Sequence, residues 1–511
     1  GKEYNMTVLA GNIRCTVPLR VDGTSILQAE NLRFDYLGGT KNVNVKSYLI
    51  LDDPNATQIP MPWTAEYSTD GGKTWGTSLP DGFTITGAAG NGNLDGNESF
   101  NVKVSKQSGQ KQPNFHTSAL RDAAPVSNYD LSTLGGRTAM NTANCYVVSA
   151  PGTYTLPLVY GNGIKDGQPN PSAYTSTAQP SGGANASHIL RQFIDYKQAA
   201  ITDPYIYNKY TAANACLVWQ DAQELISDVK LSADGRNLTF SVSKESIQQG
   251  NAIVGIRDSG GSFIWSWHIW ATEYDPSQPA GQQTVGGNVF MDRNLGATSL
   301  VKGPQSAGCF YQWGRKDPFQ GPYTWMMFLN ANAGWSNDGI GKFMTLKGLA
   351  STKVPSENLV ASVQQPYRYI VGISGTQDWL SPDVGGEAYR WSNADGTKGV
   401  FDPCPEGWRV PVSGAGAASA WADLNGVWDA ERTGCVFAEG NGYYPAAGYI
   451  NIMSASGSGG GAEAGTSGYC WSASSAGRNG YALTYSVSAI KTEAELTKAW
   501  ACPVRCVKDV K

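Results

Sequence analysis

Charge is scarce in this chain of 511 residues. Asp, Glu, Lys and Arg make up 16%, below the roughly 25% of ordinary soluble domains, and 38 basic residues against 42 acidic ones leave a net charge of −4. No Lys/Arg block stands out, so the electrostatic footprint of a nucleic-acid-binding surface is missing. Histidine is rarer still. His116, His188 and His268 are the only three, and none has a second His, Cys or carboxylate at metal-ligand spacing. They read as hydrogen-bonded structural residues, and no cofactor is expected. No apolar run approaches the roughly 18–20 residues of a membrane span, and the first residues, GKEYNMTVLA, contain no apolar signal segment. Contact with a membrane is expected only through a lipid anchor removed from the N-terminal side. The nine cysteines form no CxxC pair, so metal and redox motifs are absent as well. Five of them follow residue 400, where one or two disulfides would fit an oxidising compartment.

What is abundant is glycine, at 61 residues, with 25 Tyr and 16 Trp, the composition of a loop-rich, mostly β, extracytoplasmic protein. The length prior gives about three domains, and the texture places them at 1–112, 129–278 and 279–511. In the first, Val43–Leu51 and Phe100–Val104 are β-rich runs between Gly/Asn/Asp/Pro turns, the spacing of a β-sandwich. Ser68-Thr69-Asp70-Gly71-Gly72-Lys73-Thr74-Trp75 matches the Asp-box pattern of sialidase-like propellers, but it occurs once and reads as a structural hairpin. Asn91-Gly92-Asn93-Leu94-Asp95-Gly96 starts like a calcium loop, yet loop position 12 is Val102 rather than Glu, so an Asn-Gly turn is expected.

In the second domain the strands Leu238–Val242 and Ala252–Ile256 are joined across a Gln-Gln-Gly turn, and residues 168–187 read as a loop. Ser187 is placed to cap a short helix through Tyr196, with Ile189, Leu190 and Phe193 on one face. Phe263–Thr272, FIWSWHIWAT, alternates large apolar residues with Ser and His, which predicts a strand with one buried aromatic face. Ten of the 16 Trp lie after residue 279. There the helical signals are short: Glu357–Gln364, Ser413–Leu424 with Trp421 and Leu424 on one side, and capping-box spacing at Thr492–Glu495. Gly-rich connections such as residues 454–465 separate them, giving an α+β domain with an aromatic core.

Five blocks of the last domain carry more. MDRNLGAT (291–298), FYQWGRKDPF (310–319), DPCPEGWRVP (402–411), YCWSAS (469–474) and VRCVKD (504–509), in that order, resemble the Fibrobacter succinogenes major paralogous domain family, which is similar to a branch of the C-type-lectin-like fold. TANCYVV, GTYTLPLVYGN and WSWHIWAT resemble the domain that often precedes it in Bacteroidetes surface and fimbrial proteins. The resemblance implies a multidomain, mainly β chain: two immunoglobulin-like β-sandwich domains, then an α+β C-type-lectin-like domain. It implies Arg293, Trp313, Arg315, Asp317, Trp408 and Trp471 as fold-signature residues, and a structural disulfide between Cys404 and Cys506.

The function implied is extracellular cell adhesion, as a tip or minor subunit of a fimbria. The partners would be other fimbrial subunits and a glycan or protein receptor; a surface glycan-binding lipoprotein is the alternative. The five residues after Cys506 show no obvious donor strand, which fits the tip reading. The Glu-Pro-Asn or Gln-Pro-Asp triplet of calcium-dependent lectins is absent, its nearest pieces being Ser381-Pro382-Asp383 and Trp391-Ser392-Asn393, so no metal site is expected. No enzyme is expected either: the last domain has no His, and pairing Cys404 with Cys506 leaves no catalytic Cys couple. Within FYQWGRKDPF, Trp313 and Phe319 are expected to pack inward, with Arg315 and Asp317 fixing the turn locally.

Overall fold

In a computed structural model of the chain, described for residues 4–7, 15–21, 24–30, 39–50, 55–68, 76–79, 82–105, 118–175, 193–222, 224–300, 304–321, 327–328, 346–372, 378–380, 389–393, 396–414, 419–422, 424, 426–430, 433–437, 442–452 and 458–510, strand accounts for 46% and helix for 8%. The protein is mainly β. It divides into two compact units, Gly1–Lys111 and Gln112–Lys511.

In the first unit the strand Gly39–Ile50 alternates between core and solvent. Val43 and Val45 are buried while Asn42, Asn44 and Lys46 are exposed, the period-two pattern of a sheet with one wet face. It pairs antiparallel with Asn93–Val104, Val43 opposite Phe100, in a four-stranded sheet completed by Gln58–Pro60 and Phe83–Thr86. A five-stranded sheet holds Trp63–Ser68, whose Trp63 ring lies 6.0 Å from Phe100 in the core. The segment beginning at Asn91 is organised by Glu98. That carboxylate accepts hydrogen bonds from the Trp63 Nε1–H (2.6 Å), the amides of Asn91 and Gly92, and the Asn93 side chain. Gly92 has φ +94°, and a Cβ there would stand 2.3 Å from the Met61 backbone, so the turn requires glycine. The Asp-box residues after Ser68 lie outside the described residues.

These bonds hold the Glu98 carboxyl below its ordinary value of 4.5, the Trp63 bond being the largest cause. A carboxyl lowered in the folded state contributes stability above its unfolded pKa and loses it as pH falls through the folded one. Glu98→Gln is therefore expected to flatten the acid limb of this unit's stability curve below pH 4.5, read by denaturation at stepped pH. An unchanged acid limb would show that the loop does not depend on the carboxylate.

In the second unit, a four-stranded sheet (Val126–Asp130, Gly152–Pro157, Asn237–Val242, Ser227–Leu231) faces a five-stranded one (Cys145–Val148, Phe263–Ala271, Gly250–Arg257, Asn214–Gln220, Met327–Phe328). Tyr154, Leu156, Leu238 and Phe240 from the first and Val254, Ile256, Trp265, Trp267 and Ile269 from the second fill the core between them. The two strands expected around 238–242 and 252–256 are present, in different sheets. Phe263–Ala271 departs from expectation, because all nine residues are buried. It lies inside its sheet between Cys145–Val148 and Gly250–Arg257, and residues beyond 279 cover the face that period-two reasoning leaves to solvent.

Those later residues form short sheets around one ten-residue helix, Pro355–Gln364, which packs Leu359, Val360 and Val363 into the sandwich core. Both larger cores of this unit draw residues from before and after position 279. Three helical expectations fail or lapse. Thr492–Glu495 lies in the strand Ile490–Thr497, paired with Asn479–Ser486, where cross-strand pairing overrides the local capping signal. Ser413–Leu424 contains no helix among its described residues. Gly414 has φ +85° and the Ser413 amide donates to Ser472 Oγ, so the chain makes a turn at 420–422 that stacks Trp421 on Phe290. Most of the helix expected at 187–196 is outside the described residues, and at its end Ile194 bridges Ala200 instead. Two loop readings are also amended: Pro171–Tyr174 is a helical turn and Ser458–Ala462 a strand.

Candidate binding site

The block Phe310–Phe319 is buried at every position. It runs irregularly after the strand Phe310–Gln312, so its carbonyls need partners from outside any sheet. Tryptophans supply them. Trp471 Nε1–H donates to the Tyr311 carbonyl (2.8 Å), Trp379 to that of Trp313 (2.9 Å) and Trp391 to that of Arg315 (2.9 Å). Trp313 in turn donates to the Ser472 carbonyl at 3.1 Å. Each indole thus provides apolar bulk and one donor in the same position.

Arg315 reaches further than a local turn. Besides Gln312 Oε1, its guanidinium donates to the carbonyls of Ser362, Gln365, Pro366 and Arg368, which end the helix Pro355–Gln364. A cation at the negative end of a helix satisfies carbonyls that have no partner within it. Burial lowers the Arg315 pKa to about 10, so it stays charged. Asp317 is also engaged at long range: it accepts from Ser266 Oγ (2.6 Å) in the strand Phe263–Ala271 and from its neighbour Lys316. Burial lowers the Lys316 pKa to about 8 against the pull of Asp317. Arg293 pairs with Asp292 at 2.7 Å and lies over the Tyr274 ring, and Trp408 is buried where its strand pairs with Val507–Lys508.

His268 sits in a buried network. Asn251 Nδ2 donates to Asp221 and to the Gly296 carbonyl, so its Oδ1 accepts from His268 Nε2–H at 2.8 Å. The other ring nitrogen, Nδ1, then faces the Tyr311 hydroxyl at 3.5 Å. Burial pushes the imidazole down to about 3 and Asp221 up to about 7. A histidine lowered in the folded state contributes stability above its unfolded pKa of 6.5 and loses it as pH falls toward about 3. NMR titration of the folded protein is expected to leave the His268 ring signals unmoved through pH 6.5. A midpoint near 6.5 would contradict this buried neutral tautomer.

An open polar cleft lies elsewhere, between the turn around 160–172 and the segment 397–407. Its volume is about 220 Å³, and it is lined by Asn141, Thr142, Asn162, Ile164, Lys165, Asn170, Ser172, Thr397, Lys398, Glu406, Gly407 and Asp509. Amides stitch its walls together: Asn162 Nδ2 donates to the Lys398 carbonyl, and Asn144 to those of Val400 and Asp402. Gly161 (φ +38°) lets the turn approach, because a Cβ there would stand 2.2 Å from the Val400 carbonyl oxygen. At the floor, Lys398 Nζ donates to the carbonyls of Cys404 and Pro405, and the carboxylate of Asp402 accepts from the amides of Cys404 and Val410. Burial pushes Lys398 down and Asp402 up to about 6, each partly offset by the other. A disulfide joins Cys404 to Cys506, tying the 404–407 wall to the segment that carries Asp509. Asn162 Oδ1 is buried at this wall and accepts no hydrogen bond among the described residues.

None of the cleft-lining residues was expected to contact a ligand, although Thr142, Asn162, Glu406, Gly407 and Asp509 lie inside the blocks that carry the resemblance. The available signal was the Gly/Asn density of GNGIKDGQPN at 161–170, a turn composition shared by many loops. The triplet Trp391-Ser392-Asn393 is structural: Asn393 Nδ2 donates to the carbonyls of Ser172 and Thr175. Ser381–Asp383 lies outside the described residues. Compared with known proteins, the chain matches no family model, no curated protein and no solved structure.

Proposed function

We propose that this chain is an extracellular adhesion protein, a tip or minor subunit of a Bacteroidetes-type fimbria. Residues 1–111 and the sandwich of 126–271 act as immunoglobulin-like supports. Residues 279–511, read as a C-type-lectin-like region, carry the ligand-contacting surface, which at the cleft they share with residues 141–172. The observation that carries the reading is a buried frame in residues 279–511 with an open cleft at its edge. Most residues of the blocks that bear the resemblance are buried as an interior frame, while an open cleft lies where Glu406, Gly407 and Asp509 of those blocks meet residues 141–172. The Cys404–Cys506 bridge suits an oxidising compartment. Binding rather than catalysis fits the buried thiols: burial holds Cys309 and Cys502 well above the ordinary value, protonated and poorly nucleophilic.

The partners in this reading are other fimbrial subunits and a glycan or protein receptor, at the outer membrane or fimbrium. Co-purification with sheared pilus shafts tests it. Finding the protein on piliated cells but never on their shafts would overturn the subunit assignment. A second reading, a surface lipoprotein that captures polysaccharide, is favoured by the polar cleft. Tight binding of soluble polysaccharide by a protein absent from shafts would select it.

A further inference from the structure

We infer that the cleft between residues 160–172 and 397–407 binds one neutral sugar residue, the terminal unit of a glycan. The inference rests on the adhesion reading for its biological setting, and on the cleft alone for its chemistry. Size sets the first limit. The volume of about 220 Å³ falls below the roughly 300–1,000 Å³ of pockets for drug-sized ligands, so the cleft encloses a single small unit and leaves the rest of a glycan outside.

Charge sets the second limit. The lining has two cationic side chains, Lys165 and Lys398, and two anionic ones, Glu406 and Asp509, so no net field selects a phosphate, a sialic acid or an amine. The remaining lining side chains are amides, hydroxyls and Ile164, and about half of the lining surface is apolar, as the CH faces of a sugar require. Carboxylates and amide oxygens accept from hydroxyls, and amide N–H groups donate to them, which is the pattern a polyol can satisfy on every side. Glu406 is exposed at the rim, while Lys398 is spent on the Cys404 and Pro405 carbonyls, so Glu406 is the more exposed of the two lining carboxylates and the one best placed to accept from a ligand hydroxyl.

The test is saturation-transfer NMR on the full chain with galactose, mannose and N-acetylglucosamine as neutral probes, and with N-acetylneuraminate and inorganic phosphate as charged ones. Transfer is expected from at least one neutral probe and from neither charged probe. Glu406→Gln is expected to weaken that probe about tenfold. Ser172→Phe, which fills the cleft, is expected to abolish binding while the melting curve stays cooperative. Silence from all three neutral sugars, equal binding of a charged probe, or full binding by folded Ser172→Phe would each overturn the inference. The adhesion reading fails separately. A chain found on pilus shafts that binds no sugar refutes only the cleft assignment, and a chain that binds sugar but is never on shafts refutes only the subunit assignment.

Discussion

Trp313→Ala is expected to destabilise the unit of residues 112–511 by about 3–5 kcal/mol, the range for removing a large buried aromatic. Three features put it at the upper end. The side chain is 0% exposed, so the cavity cannot open to solvent without wider rearrangement. Its ring is enclosed on several sides: Trp391 lies 5.9 Å away, Lys498 Nζ stands 4.3 Å over the face, and the Gly480 backbone comes so close that a Cβ there would be 2.6 Å from the ring. Its Nε1–H is also the described partner of the Ser472 carbonyl, which would be left buried and unpaired. Trp313→Phe keeps most of the ring and loses that donor, so its cost should be clearly smaller. Chemical denaturation of the full chain checks both, with the unfolding of residues 1–111 as an internal reference. If Trp313→Ala unfolded like the parent but no longer adhered, the residue would belong to a binding surface and not to the frame.

The inward course of Trp313 and Phe319 was legible because aromatics clustered at an Asp-Pro break have few other uses in a soluble β protein. The partners of Arg315 and Asp317 were not. A guanidinium that needs several carbonyls can take them from any chain end nearby, and here they come from 362–368, about fifty residues on. Asp317 binds Ser266, 51 residues earlier. Phe263–Ala271 shows the same limit in another form. Alternation announces a strand and cannot say whether its second face meets water or another layer. At Thr492–Glu495 the local rule pointed the wrong way, since a capping box contributes about a hydrogen bond while pairing with Asn479–Ser486 offers a whole ladder. The cleft is the least legible element. Asn162 and Lys398 are joined by one hydrogen bond across 236 residues of chain, and only the fold makes them neighbours.

Removing the Cys404–Cys506 bridge, by Cys404→Ser with Cys506→Ser, is expected to cost about 4.7 kcal/mol on the chain-entropy estimate for a loop of this size. The bridge spans 102 residues, and cross-linking so long a loop restricts the unfolded chain far more than it alters the folded one. The folded state has independent reasons to keep these segments together. Trp408 and Arg409 pair with Lys508 and Val507, and the Asp509 amide donates to the Gly407 carbonyl at 2.8 Å. The variant should therefore fold, keep its strand content, and unfold at lower denaturant. Cys145, Cys216, Cys309, Cys435, Cys470 and Cys502 are free thiols, so a reductant that opens the bridge in the parent protein should reproduce the variant. Native domains have roughly 5–15 kcal/mol in hand, so such a loss consumes much of the margin. It would fall first on the least supported neighbours, the cleft wall at Glu406 and Asp509. Sugar binding lost at a denaturant concentration where strand content persists would place the bridge in service of the cleft. A loss below about 1 kcal/mol would mean that the strand pairing of 408–409 with 507–508 already survives in the unfolded ensemble, leaving the cross-link little entropy to remove.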